Sequence, residues 1–320
     1  MKRFKKILVA TDTRLENHAV VDKAAELAKS NQAAVTIVDV VPEFSWIASK
    51  LVSDLDHMLK LYTQEVSTRL ESLAKPFRDQ GMDVATRVLT GRTSVEVVRD
   101  VLREKHDLLM VVAKGKNSRR KGFFGYTAIH LLQTCPSAVW LVASETAAQP
   151  KHVLGCVDIT SDHAESAELN DRVYELSRSI GKACQARYSL LHAWQMHDES
   201  LLSARLRHSL VVGFVQEYYE SIKTRYQEFL KAHGSDLADE DIHLIKGRAP
   251  DIVDQFVRQN GVDLIVMGTL ARTGLAGALI GNTAEQTLDR IECSLLALKP
   301  YSFVSPIKLA SYSRAGATTV

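Results

Sequence analysis

The sequence predicts an α/β fold built twice in tandem, each copy a parallel sheet with helices on both faces. Three observations predict it. Short β-branched apolar runs alternate with stretches of helical periodicity, the pattern of strands joined by helical crossovers. The chain has 320 residues, room for two domains of roughly 150. The same landmarks occur in both halves. A lysine, an apolar run and an aspartate fill Lys6 to Asp12 and again Lys151 to Asp158. Gly91-Arg92, Asp107 and Gly125 recur as Gly247-Arg248, Asp263 and Gly281, each displaced by 156 positions. The strand-end aspartates are displaced by 146, so about ten residues entered the second copy between its first strand and its Gly-Arg. This is the mark of a tandem duplication.

The elements follow in order. Residues 5–11 form an apolar run with little alternation, as in a strand buried on both faces. Ala19, Val20, Ala24, Leu27 and Ala28 give 17–30 a helical stripe. Val35 to Val41 is a β-branched strand closed by Pro42, and 47–79 a long amphipathic helical region. Strands at 84–89, 108–113 and 138–142 alternate with helices at 94–104 and 127–134. The second half repeats this through 152–157, 164–184, 187–193, 201–232, 241–246, 250–259, 264–267, 283–290 and 294–298. The expected domains are 1–145 and 150–302, joined by a short polar linker, with a flexible tail over 303–320.

Composition narrows the function classes. Hydrophobic residues make up 46% and charged residues 24%, as in ordinary soluble domains. With 40 basic and 38 acidic residues the formal charge is only +2, which argues against a protein built chiefly to hold nucleic acid. No apolar run approaches the ~18–20 residues that cross a bilayer, so no membrane insertion is expected. The basic start leads into an apolar run too short for a secretory signal. The four cysteines form no C-x-x-C pair, which points to a reducing cytoplasm.

One stretch carries chemistry. Gly268 ends a buried strand, a glycine-rich loop follows, and Gly281-Asn282-Thr283 opens a helix. Bare amides at a helix start form an anion cradle, and a glycine lets the backbone approach a phosphate closely. Thr283 and Gln286 also have capping-box spacing, so helix capping alone would explain both side chains. Ligands of open α/β sheets sit at strand C-termini, where Asp158 also lies, placed to accept from a ribose hydroxyl or a base.

This stretch resembles the nucleotide signature G-x2-G-x9-G-(S/T/N) of the universal stress protein family, and the resemblance covers about 1–143 and 151–300. It implies Rossmann-like, adenine nucleotide alpha hydrolase-like domains, each a five-stranded parallel sheet of order 3-2-1-4-5 flanked by helices. It also implies ATP, or AMP or ADP, held by Asp158, Ala193, Gly268, Arg272, Gly281, Asn282 and Thr283, with Mg2+ entering only alongside the nucleotide. Ala271 replaces the middle glycine. The first half departs further. Asp12, Gly115 and Gly125 remain, but Val112 stands in place of the first glycine and Tyr126 in place of the small polar residue. The family pairs domains through the last strand, here 138–142 and 294–298, which implies an intramolecular pseudo-dimer and leaves a further homodimer open.

Blander readings stand beside these. Asp12 and Asp158 also read as simple caps of the next helix or turn. Lys114, Lys116, Arg119, Arg120 and Lys121 read as a solvated charge run. His18, His130 and His192 lack metal-ligand spacing, and Cys135 and Cys293 read as packing residues. Ile47, Leu51, Leu55, Met58, Leu59 and Leu61 read as core, with an apolar ligand cavity beneath their helix as the alternative. No P-loop, G-x-G-x-x-G, G-x-S-x-G or H-E-x-x-H motif occurs, and no general base accompanies Arg272. The expectation is a stress-response binding protein, regulatory rather than catalytic, with no catalytic or metal-ligating residues. A non-nucleotide scaffold with an apolar pocket is the first alternative, and a weak ATPase the second.

Overall fold

The computed structural model describes residues 4–43, 55–114, 123–143, 149–196, 198–269 and 281–309. The first half runs β1 (Lys6–Ala10), α1 (Ala19–Asn31), β2 (Ala34–Val41), α2 (Leu55–Arg78), β3 (Val84–Thr90), α3 (Thr93–Glu104), β4 (Leu108–Val112), α4 (Tyr126–Thr134) and β5 (Ala138–Val142). The second runs β6 (His152–Cys156), α5 (Ala164–Cys184), β7 (Arg187–Trp194), α6 (Glu199–Arg205), α7 (His208–Ala232), β8 (Ile242–Lys246), α8 (Ala249–Asn260), β9 (Leu264–Gly268), α9 (Asn282–Leu288) and β10 (Ser294–Leu298).

The ten strands form one sheet in the order β3-β2-β1-β4-β5-β10-β9-β6-β7-β8. Within each half every pairing is parallel and the order is 3-2-1-4-5. The halves meet through antiparallel pairing of β5 with β10, Leu295 opposite Leu141 and Ala297 opposite Val139.

Alternation along the strands splits the core into two layers. Ile7, Val9, Ile37 and Met110 face one side, with Val20, Leu70, Tyr174 and Tyr226 from α1, α2, α5 and α7. Leu8, Val38, Leu109 and Leu141 face the other, with Val97, Leu131, Phe256 and Leu288 from α3, α4, α8 and α9. Each such side chain contributes roughly 1.5–3 kcal/mol of transfer free energy.

Several duplicated landmarks prove to be structural. The Asp107 carboxylate accepts from the Lys5 and Lys6 amides (2.6 and 3.1 Å), and Asp263 from those of Lys151 and His152 (2.7 and 3.0 Å), so each pins the start of its half's first strand. Gly91 and Gly247 adopt φ of 135° and 150°, which L side chains rarely take. At Gly247 a Cβ would also lie 2.7 Å from the Ile252 side chain. Most of the extra residues of the second copy lengthen its first helix, 21 residues in α5 against 13 in α1.

Two expectations need correction. The single helix expected over 201–232 is two helices, broken where Leu206 and Arg207 turn extended. Glu199, which begins α6, there reaches the Lys246 ammonium at 2.7 Å. The start of the expected flexible tail lies on protein: the Ser305 hydroxyl donates to the Thr134 carbonyl, and Ile307 packs on the second core layer. Residues beyond 309 lie outside the described part.

Candidate functional site

A cavity of about 580 Å³ opens at the C-terminal ends of β6, β7 and β9, within the usual range of small-ligand pockets. Asp158, Ala193, Gly268, Gly281, Asn282 and Thr283 all line it. Arg272 lies outside the described residues, as do Ala271 and, in the first half, Gly115.

The strand ends and three helix starts build the wall. Asp158 follows β6 by two residues, and Asn170 of α5 clamps its backbone. The Asn170 amide donates to the Asp158 carbonyl (2.8 Å), and its oxygen accepts the Asp158 N–H (2.9 Å). The Asp158 carboxylate accepts from the Thr160 amide and hydroxyl (3.2 and 2.7 Å), so it organises the turn it begins. It does not cap α5, whose N-cap is His163. At Gly268 a Cβ would lie 3.0 Å from Leu169 Cδ1, so this glycine also serves the close packing of α5 on β9. Gly281 is the N-cap of α9. The capping box expected of Thr283 and Gln286 is absent: the cap has no side-chain bond, and Gln286 Oε1 accepts from Arg248 instead (2.8 Å).

Other lining residues give no clear sequence signal. His192 donates through Nδ1 to the Val157 carbonyl (3.0 Å), and burial lowers its pKa, so the ring is neutral at pH 7. Trp194 packs against Tyr218, with ring centroids 6.0 Å apart, and both reach the cavity. Arg248 is the one cation among its described lining residues, and Asp158 and Glu285 the carboxylates. Among the described residues no group of three metal-ligating side chains occurs.

The first half arranges the same positions differently. Arg14 stands where the second half has Thr160, two residues past the strand-end aspartate. Its guanidinium grips Asp12 through two bonds of 2.8 and 2.7 Å and holds the carboxyl below the usual range. Asp39 accepts from the Thr13 amide (2.8 Å), and Arg69 reaches the Thr13 carbonyl (3.5 Å). The mouth of this crevice is thus tied up by the protein's own groups. Gly125 caps α4 and donates its N–H to the Ala113 carbonyl (2.8 Å), while Tyr126 is exposed. His130 and His192 sit in protein surroundings with pKa values lowered by burial.

Beside α2, where the alternative reading puts an apolar ligand cavity, lies a groove. It is lined by ten residues, Val41, Leu59 and Val88 among them, and the alkyl parts of the polar ones leave its surface mostly apolar. Leu55 is buried, Met58 and Leu61 are exposed, and Ile47 and Leu51 lie outside the described residues.

Both halves match the model of the universal stress protein family, over residues 3–143 and 150–299. The chain belongs to the universal stress protein family. As a tandem universal stress protein it is 24% identical over 315 residues to universal stress protein E of Salmonella typhi, covering 97% of this chain and 98% of the relative. It is 23% identical, with the same coverage, to universal stress protein E of Escherichia coli K12. Its fold is similar to that of a functionally unknown protein from Pseudomonas aeruginosa PAO1 (TM-score 0.74, 20% identity, 94% of each chain). It is also similar to that of a universal stress protein from Archaeoglobus fulgidus (TM-score 0.61, 15% identity, 92% of this chain and 98% of that one). Among the described residues no helix is long and apolar enough to cross a membrane.

Proposed function

We propose that this universal stress protein is a regulatory binding protein that holds an adenine nucleotide, ATP or its AMP or ADP products, in the second-half cavity. The observation that carries the reading is convergence. Asp158, Ala193, Gly268 and Gly281 to Thr283, separated in sequence by more than a hundred positions, line one cavity of nucleotide size. Asp158 and the Ala193 backbone would take the adenosine, and the amides at the start of α9 the phosphates. Arg272 would join them from the loop. With no protein metal cluster among the described residues, Mg2+ would enter bound to the phosphates. The first half, with Asp12 gripped by Arg14, serves as the fused partner in an intramolecular pseudo-dimer. Occupancy alters partner choice by favouring one state of the chain over another.

Titration calorimetry with ATP tests this. The wild-type chain should bind at one site, and Gly281→Val should lose binding while keeping its circular dichroism spectrum. Equal affinity in both chains would reject the site. Steady-state phosphate release that falls in Arg272→Ala would favour the weak-ATPase alternative.

A further inference from the structure

Residues 299–308, just beyond β10, are anchored at both ends, on different halves. At its start the segment grips the first turns of α5. Arg172 donates to the Lys299 carbonyl (2.6 Å), and its guanidinium stacks 4.4 Å from the Tyr301 ring centroid. The Tyr301 N–H donates to the Glu168 carboxylate (3.2 Å), and the Ser302 hydroxyl to Glu165 (2.7 Å). These same turns carry Ser166, Leu169 and Asn170, which line the second-half cavity. Farther on, the segment grips the first half. The Ser305 hydroxyl donates to the Thr134 carbonyl at the end of α4 (2.7 Å) and accepts the Ile307 N–H (3.2 Å). Arg99 of α3 donates to the Lys308 carbonyl (3.3 Å).

Between the anchors little slack remains. Ser302 and Ser305 are three residues apart, a span of at most about 10 Å. Phe303, between them, lays its ring 4.6 Å from the buried Lys299 ammonium. The other end of α4 is Gly125, the first-half counterpart of Gly281. We propose that residues 301–308 are a tether that couples the cavity wall formed by α5 to α3 and α4 of the first half. A displacement of the α5 N-terminal turns is passed along this short strap, which gives the two halves a mechanical link separate from the β5–β10 seam.

Hydrogen–deuterium exchange on the full chain without nucleotide tests the tether. Ser305→Ala removes the hydroxyl's bond to the first half along with its turn bond to Ile307, and Tyr301→Ala removes the ring's stacking on Arg172 of the second half while its N–H stays on Glu168. The tether predicts that each variant speeds exchange at the opposite anchor. Amides of 167–172 should exchange faster in Ser305→Ala and amides of 131–135 faster in Tyr301→Ala, each by about fivefold, the equivalent of ~1 kcal/mol. Changes confined to each variant's own anchor would overturn it. Tyr301 is 80% exposed, so its variant has no core packing to lose. A second arm rests on the nucleotide reading: ATP should slow exchange at 131–135 in the wild type but not in Ser305→Ala. A chain that fails to bind ATP would reject that reading, and the nucleotide-free comparison would still decide the tether.

Discussion

Replacing Lys299 with methionine should stabilise the protein at neutral pH. The residue directly follows β10 at 3% exposure, and its ammonium has no hydrogen-bond partner among the described residues, only the face of Phe303. Burial pulls its pKa from 10.5 down to about 8, against a weaker opposing pull from Cys135. The unfolded chain therefore keeps this proton to about pH 10.5, while the folded chain gives it up near 8. Between those values the unfolded state binds more protons, so this lysine's burden on stability falls as pH rises. Below pH 8 the burden is complete, and at 1.36 kcal/mol per pKa unit it is roughly 3 kcal/mol. Lys299→Met keeps the unbranched stem and removes the charge. Urea denaturation of both chains at intervals from pH 7 to 10.5 should show a gain of about 3 kcal/mol at pH 7, shrinking toward zero at the alkaline end. The Cys135 thiol, pushed up to about 11 by burial, works in the opposite sense above pH 9, but it is present in both chains. A variant less stable at pH 7, or a gain that does not change with pH, would refute the reasoning.

Three further outcomes are expected. Gly155→Ala, in the middle of β6, would set a methyl 2.7 Å from Ser177 Oγ and 2.9 Å from Leu190 Cδ1, and should cost about 1–3 kcal/mol in urea melts; an unchanged midpoint would contradict the packing. Asn170→Ala strips both clamps from the Asp158 backbone and should lower stability by about 1–3 kcal/mol while weakening ATP binding in calorimetry. Burial pushes the Cys135 and Cys293 thiols up to about 11 and about 12, so a disulfide reagent at pH 8 should label half-buried Cys184 first and these two only on unfolding; prompt labelling of Cys293 would be the contrary result.

Strand and helix positions were legible because they depend on local periodicity. Runs such as Leu108 to Val112 and Leu295 to Leu298 are apolar whatever lies beside them, and the repeat aligned the halves. What the sequence concealed depends on distant partners. Nothing near Arg14 marks it as the group that grips Asp12, since only the fold of the loop aims it back. Thr283 and Gln286 have the right spacing for a capping box, yet Arg248, 38 positions away, takes the Gln286 oxygen. Asn170 lies twelve residues past Asp158 and reaches it only because α5 returns over β6. The segment after Pro300 reads as a tail by composition, and its anchors Glu168 and Thr134 are more than 130 residues away.

Native mass spectrometry of the freshly purified chain tests the second-half site most directly. The predicted spectrum carries one adenine-nucleotide mass per chain, retained in Arg14→Thr and lost in Gly281→Val. A wild-type spectrum free of nucleotide even after incubation with excess ATP would contradict it.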